Sequence, residues 1–166
     1  IKISARDAGG NVVPSFTGGG NTVVLTSTGT LAGAPVTTGT FTNGVLSSQA
    51  VRIRNTGTFT ITATRSSGGA QSGTSASFDV VAGAASAAHT TAAVPAGQAG
   101  QVTTITVQAK DTLDNNRTTS SGTVTVSVTG ANTATATVVN NNDGTYTATY
   151  TPANTGTLPA PAVALA

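Results

Sequence analysis

The sequence predicts an all-β protein built from two antiparallel β-sandwiches in tandem. Three observations predict it: polar and apolar residues alternate over short stretches, turn residues separate these stretches, and part of the pattern recurs further along the chain. The composition agrees, because charged residues make up only 7% of the 166 residues and glutamate is absent. Threonine and valine, whose branched Cβ atoms suit a pleated strand, stand where a helical protein would carry glutamate and lysine.

Alternation with a period of two residues predicts the individual strands. In each stretch one set of side chains can face a core while threonines face water. Glycine- and asparagine-rich turns separate the stretches, and no segment keeps a helical period. The clearest stretches are residues 22–26, 58–64, 102–107, 123–128 and 145–150.

An internal repeat identifies the kind of sandwich. Its copies are separated by roughly 100 positions, which is the size of one immunoglobulin-like sandwich. The matching segments are Ala5-Arg6-Asp7 with Asn11 and Ala109-Lys110-Asp111 with Asn115, Asn43-Gly44 and Asp143-Gly144, and residues 55–58 and 154–157.

The repeat places the domain boundary. We expect two immunoglobulin-like domains at residues 1–82 and 83–166, joined by a short linker of small residues. The first domain has no counterpart of residues 86–101, and the second has no counterpart of residues 74–81. We therefore expect the first domain to lack its first strand and the second to lack its last.

Several stretches resemble known repeat families. Residues 96–111 and 142–152 resemble a filamin-type immunoglobulin repeat, and equally the immunoglobulin-like repeats of invasin-type bacterial adhesins. Residues 5–13 and 55–63 resemble a related bacterial repeat. The resemblance implies a stalk, spacer, adhesin or filament module, or an accessory module of a secreted enzyme.

Candidate catalytic residues are few. A Ser-His-Asp triad would have to use His89, the only histidine, which has no carboxylate near it in the sequence. The five aspartates lie mostly in predicted loops, and they supply no pair of acids suited to general acid–base chemistry. The sequence therefore predicts a protein that is not an enzyme.

One loop is a candidate calcium site. Asp111, Asp114 and Asn115 offer several side-chain oxygens over a short stretch, and oxygen ligands are those that Ca²⁺ prefers. The alternative is ordinary turn chemistry, in which an aspartate side chain bonds the backbone two residues further on. We expect no cofactor other than this possible Ca²⁺.

Charge and composition limit the partners and the location. The net charge is +2 and the basic residues are scattered, so we expect no nucleic acid partner. No apolar run reaches the roughly 20 residues of a membrane helix, so we expect no membrane insertion. The absence of cysteine and methionine suits an oxidising exterior, and we expect an extracellular or cell-surface protein.

The last residues are a candidate strand-donating segment. Two prolines remove ladder donors there, which favours an edge strand or an extended arm. Such an arm could pair with the open edge of another copy and propagate head to tail, so the expected partners are other copies or further repeats of the chain. An alternative function is a carbohydrate- or ice-binding accessory module of a secreted protein, although tryptophan is absent. The segment comprises Leu158, Pro159, Ala160, Pro161, Ala162, Val163, Ala164 and Leu165.

Overall fold

The computed structural model describes residues 1–120, 122–153 and 162–165. Within them the regular structure consists of fifteen β-strands and one short 3₁₀ helix at Gly130–Asn132, which confirms the all-β prediction. The chain divides into two compact units, Ile1–Val80 and Val81–Ala166. The domain boundary that the sequence predicts between residues 82 and 83 stays a prediction. None of the described residues forms a helix long and apolar enough to cross a membrane.

The first unit has eight short strands in three antiparallel sheets. Strands β3, β2, β6 and β7 form one sheet in that order, β1 pairs with β4, and β5 pairs with β8. The strands are β1 (Ile3–Ser4), β2 (Val23–Ser27), β3 (Val36–Thr37), β4 (Val45–Leu46), β5 (Gly57–Phe59), β6 (Ile61–Arg65), β7 (Ser72–Thr74) and β8 (Phe78–Val80).

The core of the first unit is small and mostly aliphatic. Leu25 is fully buried in β2, and alternate residues of that strand face outward, as the sequence pattern predicts. The one ring pair joins Phe16 to the buried Phe41 edge to face, with ring centroids 4.9 Å apart. Each such buried side chain contributes about 1.5–3 kcal/mol of transfer free energy. The other buried apolar residues are Val23, Leu31, Leu46 and Ile61.

The stretch 58–64 differs from the expectation of a single strand. The chain leaves β5 and enters β6 in another sheet, with the change at Thr60. The Thr60 amide bonds the Thr28 hydroxyl at 3.0 Å, and the Thr28 amide bonds the Thr60 carbonyl at 3.3 Å. Alternation continues through such a crossing, so the period alone could not reveal it.

The second unit has seven strands in two antiparallel sheets. One sheet has the order β13, β14, β10, β9, and the other has the order β12, β11, β15. The strands are β9 (Thr91–Ala93), β10 (Thr103–Gln108), β11 (Val124–Val128), β12 (Ala134–Thr135), β13 (Thr137–Asn140), β14 (Thr145–Tyr150) and β15 (Ala162–Leu165).

The two longest strands organise the core of the second unit. Strands β10 and β14 pair along six residues each, from Thr103 opposite Tyr150 to Gln108 opposite Thr145. Their inward residues meet those of β11, whose valines alternate with exposed polar residues. The fully buried members of this core are Ile105, Val107, Ala109, Val126 and Ala148, with Tyr146 at 1% exposure.

Candidate functional site

The repeated sequence motif forms the same loop in both units. In the first unit the Asn11 amide bonds the Asp7 carboxylate at 2.9 Å, and the Asp7 amide bonds the Asn11 carbonyl at 2.9 Å. In the second unit Asn115 and Asp111 make the same two bonds, both at 3.0 Å. The internal repeat is therefore structural, and it supplies residue-by-residue equivalences between the units.

A repeated glycine from a later turn lies against the backbone that follows each of these loops. Gly44 and Gly144 have φ of 78° and 85°, a region that other residues rarely adopt. A Cβ on Gly44 would lie 2.5 Å from the Val13 carbonyl oxygen, and a Cβ on Gly144 would overlap the Arg117 carbonyl. Close backbone approach explains why both copies of the motif carry glycine here.

The loop of the second unit holds a buried carboxylate. Asp111 is 5% exposed, and its oxygens accept bonds from the backbone amides of Gly83, Leu113 and Asn115 and from the Asn115 side chain. Burial by itself would raise the pKa of Asp111. The hydrogen bonds from Asn115, Gly83 and Leu113 outweigh burial and hold the pKa well below its usual value.

These bonds attach the start of the second unit to its own loop. The Ser86 amide bonds the Lys110 carbonyl at 2.7 Å, and the Lys110 amide bonds the Thr90 hydroxyl at 3.3 Å. The Arg117 guanidinium donates to the Gly83 carbonyl. Together with the Asp111–Gly83 bond, these contacts fix residues 83–90, which lead into β9; we refer to this arrangement as the linker clasp.

The geometry favours turn chemistry at the candidate calcium residues. Both Asp111 oxygens already accept backbone or amide donors, and Asn115 points its amide NH₂ at them. Asp114 bonds His89 instead. In the described parts of the chain, no three His, Cys, Asp or Glu side chains come together as a metal-binding group. Calcium binding at this loop stays a prediction.

His89 and Asp114 form a pair that sequence reasoning missed. The His89 Nδ1 lies 2.9 Å from an Asp114 oxygen, although the two residues are 25 positions apart. Their side chains are 35% and 70% exposed, so the pair lies at the surface and not in a cleft. The first hydrogen-bonded turn after the linker brings His89 over the Asp114 loop. A triad would also need a nucleophile on the free His89 nitrogen, and within the described residues the hydrogen bonds of this ring reach Asp114 alone.

Within the described residues, β1 and β15 each lack a neighbour that the equivalent strand of the other unit has. Strand β10 lies between β14 and β9, whereas its counterpart β1 pairs with β4 alone. Strand β6 lies between β2 and β7, whereas its counterpart β15 pairs with β11 alone. Strands β1 and β15 are thus edge strands among the described residues, as are the outer strands of the other sheets, and an edge carries unpaired backbone groups that invite another strand.

The candidate strand-donating segment is partly placed by the structure. Ala162–Leu165 forms β15 and pairs with β11 of its own unit, with Val163 opposite Val126 and packed on the core. Residues 158–161 lie outside the described residues, as do residues 154–157 of the repeat. Donation of this segment to another copy stays a prediction.

Comparison with known proteins supplies the family context. Residues 81–159 match the model of the Filamin/ABP280 repeat. A crystal structure of invasin, described as a bacterial integrin-binding protein, aligns with 93% of this chain at 24% identity and a TM-score of 0.40. The chain spans 30% of that structure. None of the curated proteins matches.

Proposed function

We propose that the chain is a structural module of an extracellular surface filament or adhesin stalk, because residues 81–159 match the model of the Filamin/ABP280 repeat. Filamin-type and invasin-type repeats are structural or adhesive modules. Beyond this structural or adhesive class, the proposal assigns the chain a location at the cell surface and a role in assembly. It also assigns head-to-tail contacts between copies to residues 158–165, with β15 keeping β11 on one side and donating its other side to β1 of the next copy.

The pair of open sheet edges is the observation that carries this proposal. Among the described residues, β15 pairs with β11 alone and β1 pairs with β4 alone. Unpaired backbone N–H and C=O groups are costly when a surface becomes buried, and a second chain can satisfy them by adding a strand. Strand β15 carries no charged residue, whereas Lys2 and Arg6 flank β1. Charged residues are the usual protection of an edge against such pairing.

The chemistry of the chain supports the same class of function. The His89–Asp114 pair is exposed, and the buried Asp111 carboxylate is engaged by amides, so both serve structure in this account. The alternative of a carbohydrate- or ice-binding accessory module stays a prediction, as no contact described above bears on it.

Light scattering on matched variants tests the assembly contact. Ala164 is exposed on β15, so Ala164→Lys adds a charge at the open edge without emptying the core. We expect the wild-type mass to rise with concentration and the Ala164→Lys mass to stay at that of one chain. Val139→Lys is the control, because Val139 is 58% exposed on β13 at the edge of the other sheet of this unit. Association that both variants retain would contradict strand pairing at β15.

A further inference from the structure

The linker clasp holds the chain at a single residue well before β9. Gly83 is bonded through both of its backbone groups, because its N–H donates to the Asp111 carboxylate at 3.0 Å and its C=O accepts from the Arg117 guanidinium. Hydrogen bonds to charged groups are stronger than those between neutral groups. Val81, two positions earlier, is 79% exposed. The chain is therefore firmly attached from Gly83 onward.

Further bonds continue this attachment as far as β9. The Ser86 amide bonds the Lys110 carbonyl at 2.7 Å, and the Lys110 amide bonds the Thr90 hydroxyl at 3.3 Å. The His89 ring lies 2.9 Å from an Asp114 oxygen. All of these partners belong to the loop that follows β10, so one loop holds the segment before β9 along its length.

This loop is itself bonded to the two longest strands of the unit. The Arg117 amide bonds the Ala109 carbonyl and the Ala109 amide bonds the Gly144 carbonyl, both at 2.9 Å. The Gln108 side chain, at the end of β10, donates to the carbonyls of Arg117 and Gly144, both at 3.2 Å. A pull on the loop is therefore transmitted to β10 and β14, which pair along six residues each.

Strand β9 is held much less firmly than the loop. It is the edge strand of its sheet and pairs with β10 at three residues. Thr91 and Ala93 are exposed, and the side chains that pack on the core are those of Ala92 and, just after the strand, Val94. Segments with few buried apolar contacts open at a small cost in free energy. By itself β9 would therefore detach under a small tension.

From this order of contacts we infer that the linker clasp is a mechanical latch, which keeps β9 in its sheet when tension reaches the second unit through the linker. Tension along a chain acts first on the first residue that is held, and here that residue is Gly83. The bonds at Gly83 pass the tension to the loop and from there to β10 and β14, so β9 bears none of it until the clasp opens. In a stalk or filament, tension would reach the unit in this way. The latch belongs to the second unit alone and is present whether or not copies of the chain associate.

Single-molecule pulling on the full chain at constant force tests the latch. The chain has no cysteine, so a pair of introduced cysteines defines the two points of attachment. Val81→Cys with Thr104→Cys loads the clasp and β9, because Val81 precedes the clasp and Thr104 is exposed on β10. Ala88→Cys with Thr104→Cys is the matched control, since the exposed Ala88 lies after Gly83 and Ser86 and before β9.

The two attachments are expected to differ in how long β9 stays in place. At the same force, the closed state is expected to last at least about tenfold longer when the chain is pulled from Val81 than from Ala88, which corresponds to ~1.4 kcal/mol in the barrier. The length of the step identifies the event. Full extension between the two cysteines gives at most about 80 Å from Val81 and about 60 Å from Ala88.

Variants at Gly83 separate the latch from general stability. Gly83→Pro removes the N–H that donates to Asp111, and Gly83→Ala is its matched control, because a Cβ on Gly83 would lie 3.7 Å from Asp111 in ordinary contact. Pulled from Val81, Gly83→Pro is expected to open at least about tenfold faster than the parent chain, and Gly83→Ala is expected to open at the parent's rate. Pulled from Ala88, both variants are expected to match the parent, because the tension no longer crosses Gly83.

A second variant removes the other bond of Gly83. Arg117→Met keeps an apolar stem of similar length and loses the donor to the Gly83 carbonyl. It is expected to open at least about tenfold faster from Val81 and at the parent's rate from Ala88. Arg117→Met therefore decides the matter if Gly83→Pro fails to fold, and the comparison of the two attachments in the parent chain decides it if neither variant folds.

Three results would overturn the inference. The first is an equal lifetime of the parent chain from Val81 and from Ala88. The second is a lifetime from Val81 that Gly83→Pro and Arg117→Met leave unchanged. The third is an equal acceleration by these variants from both attachments, which would make the clasp a source of general stability and not a latch. Association of copies is measured separately, so its failure would affect only the proposed function.

Discussion

Gly83 donates its backbone N–H to the Asp111 carboxylate across 3.0 Å, and this bond connects the segment before β9 to the loop after β10. The repeat places an equivalent carboxylate, Asp7, at the same point of the first unit, where it accepts bonds from its own loop, chiefly from Asn11. One loop therefore serves two purposes in the chain. It shapes a turn in both units, and in the second unit it also holds the entering strand.

Removal of the Asp111 carboxylate is expected to destabilise the second unit. Asp111→Ala leaves the amides of Gly83, Leu113 and Asn115 without their acceptor, at a cost of about 3 kcal/mol. Urea unfolding followed by tyrosine fluorescence measures this, because both tyrosines belong to the second unit. Asp7→Ala is the matched control and is expected to leave the tyrosine transition unchanged. Equal effects of the two variants would contradict the role of the clasp.

The depressed pKa of Asp111 predicts a dependence of stability on acidity. The pKa of Asp111 in the folded protein lies below the unfolded value of about 3.9. Its ionised carboxylate therefore stabilises the fold fully above the unfolded pKa, and this stabilisation is lost as pH falls through the folded pKa. We expect the urea midpoint of the tyrosine transition to decrease between pH 5 and pH 2. In Asp111→Asn this decrease is expected to be smaller. The pKa of Asp143 is also lowered, by bonds from Thr145, so Asp143→Asn is measured alongside.

Gly144 is expected to tolerate no side chain. Gly144→Ala places a Cβ against the Arg117 carbonyl at a φ of 85°, and we expect a loss of about 2 kcal/mol or more in the second unit. Gly44→Ala is expected to have the same effect in the first unit, measured by circular dichroism and calorimetry. Gly20→Ala is the control, since nothing lies within 4 Å of its Cβ position and its φ is ordinary. A harmless Gly144→Ala would mean that the strand does not approach this loop closely.

The His89–Asp114 pair is expected to be structural and weak. A surface pair of this kind contributes less than about 1 kcal/mol, so His89→Ala is expected to change the tyrosine transition only slightly. Hydrolysis of ester and peptide substrates by the wild-type chain is expected to equal that of buffer. Turnover that His89→Ala abolishes would instead assign a catalytic role to the pair.

Local patterns in the sequence predicted much of the fold. The alternating stretch 145–150 became β14, and 123–128 contained β11, because one-sided burial imposes the period of two that the sequence displays. The repeat predicted the equivalence of the Asp7 and Asp111 loops. Alternation could not show the change of sheet at Thr60, because it records which face is buried and not which strand is the neighbour.

The details of the sites needed three-dimensional contacts. His89 meets Asp114 through a turn that positions two loops together, and no local spacing encodes that meeting. The burial of Asp111 depends on the linker that folds back over it, which no local pattern shows. The sequence therefore suggested its oxygens as calcium ligands, whereas in the structure they accept hydrogen bonds from amides.

Electron microscopy of the wild-type chain at increasing concentration tests the central claim most directly. If open edges at β1 and β15 join copies head to tail, the images are expected to show linear filaments whose length grows with concentration. Ala164→Lys is expected to show single particles under the same conditions. Isolated wild-type particles of one chain at every concentration would contradict the claim.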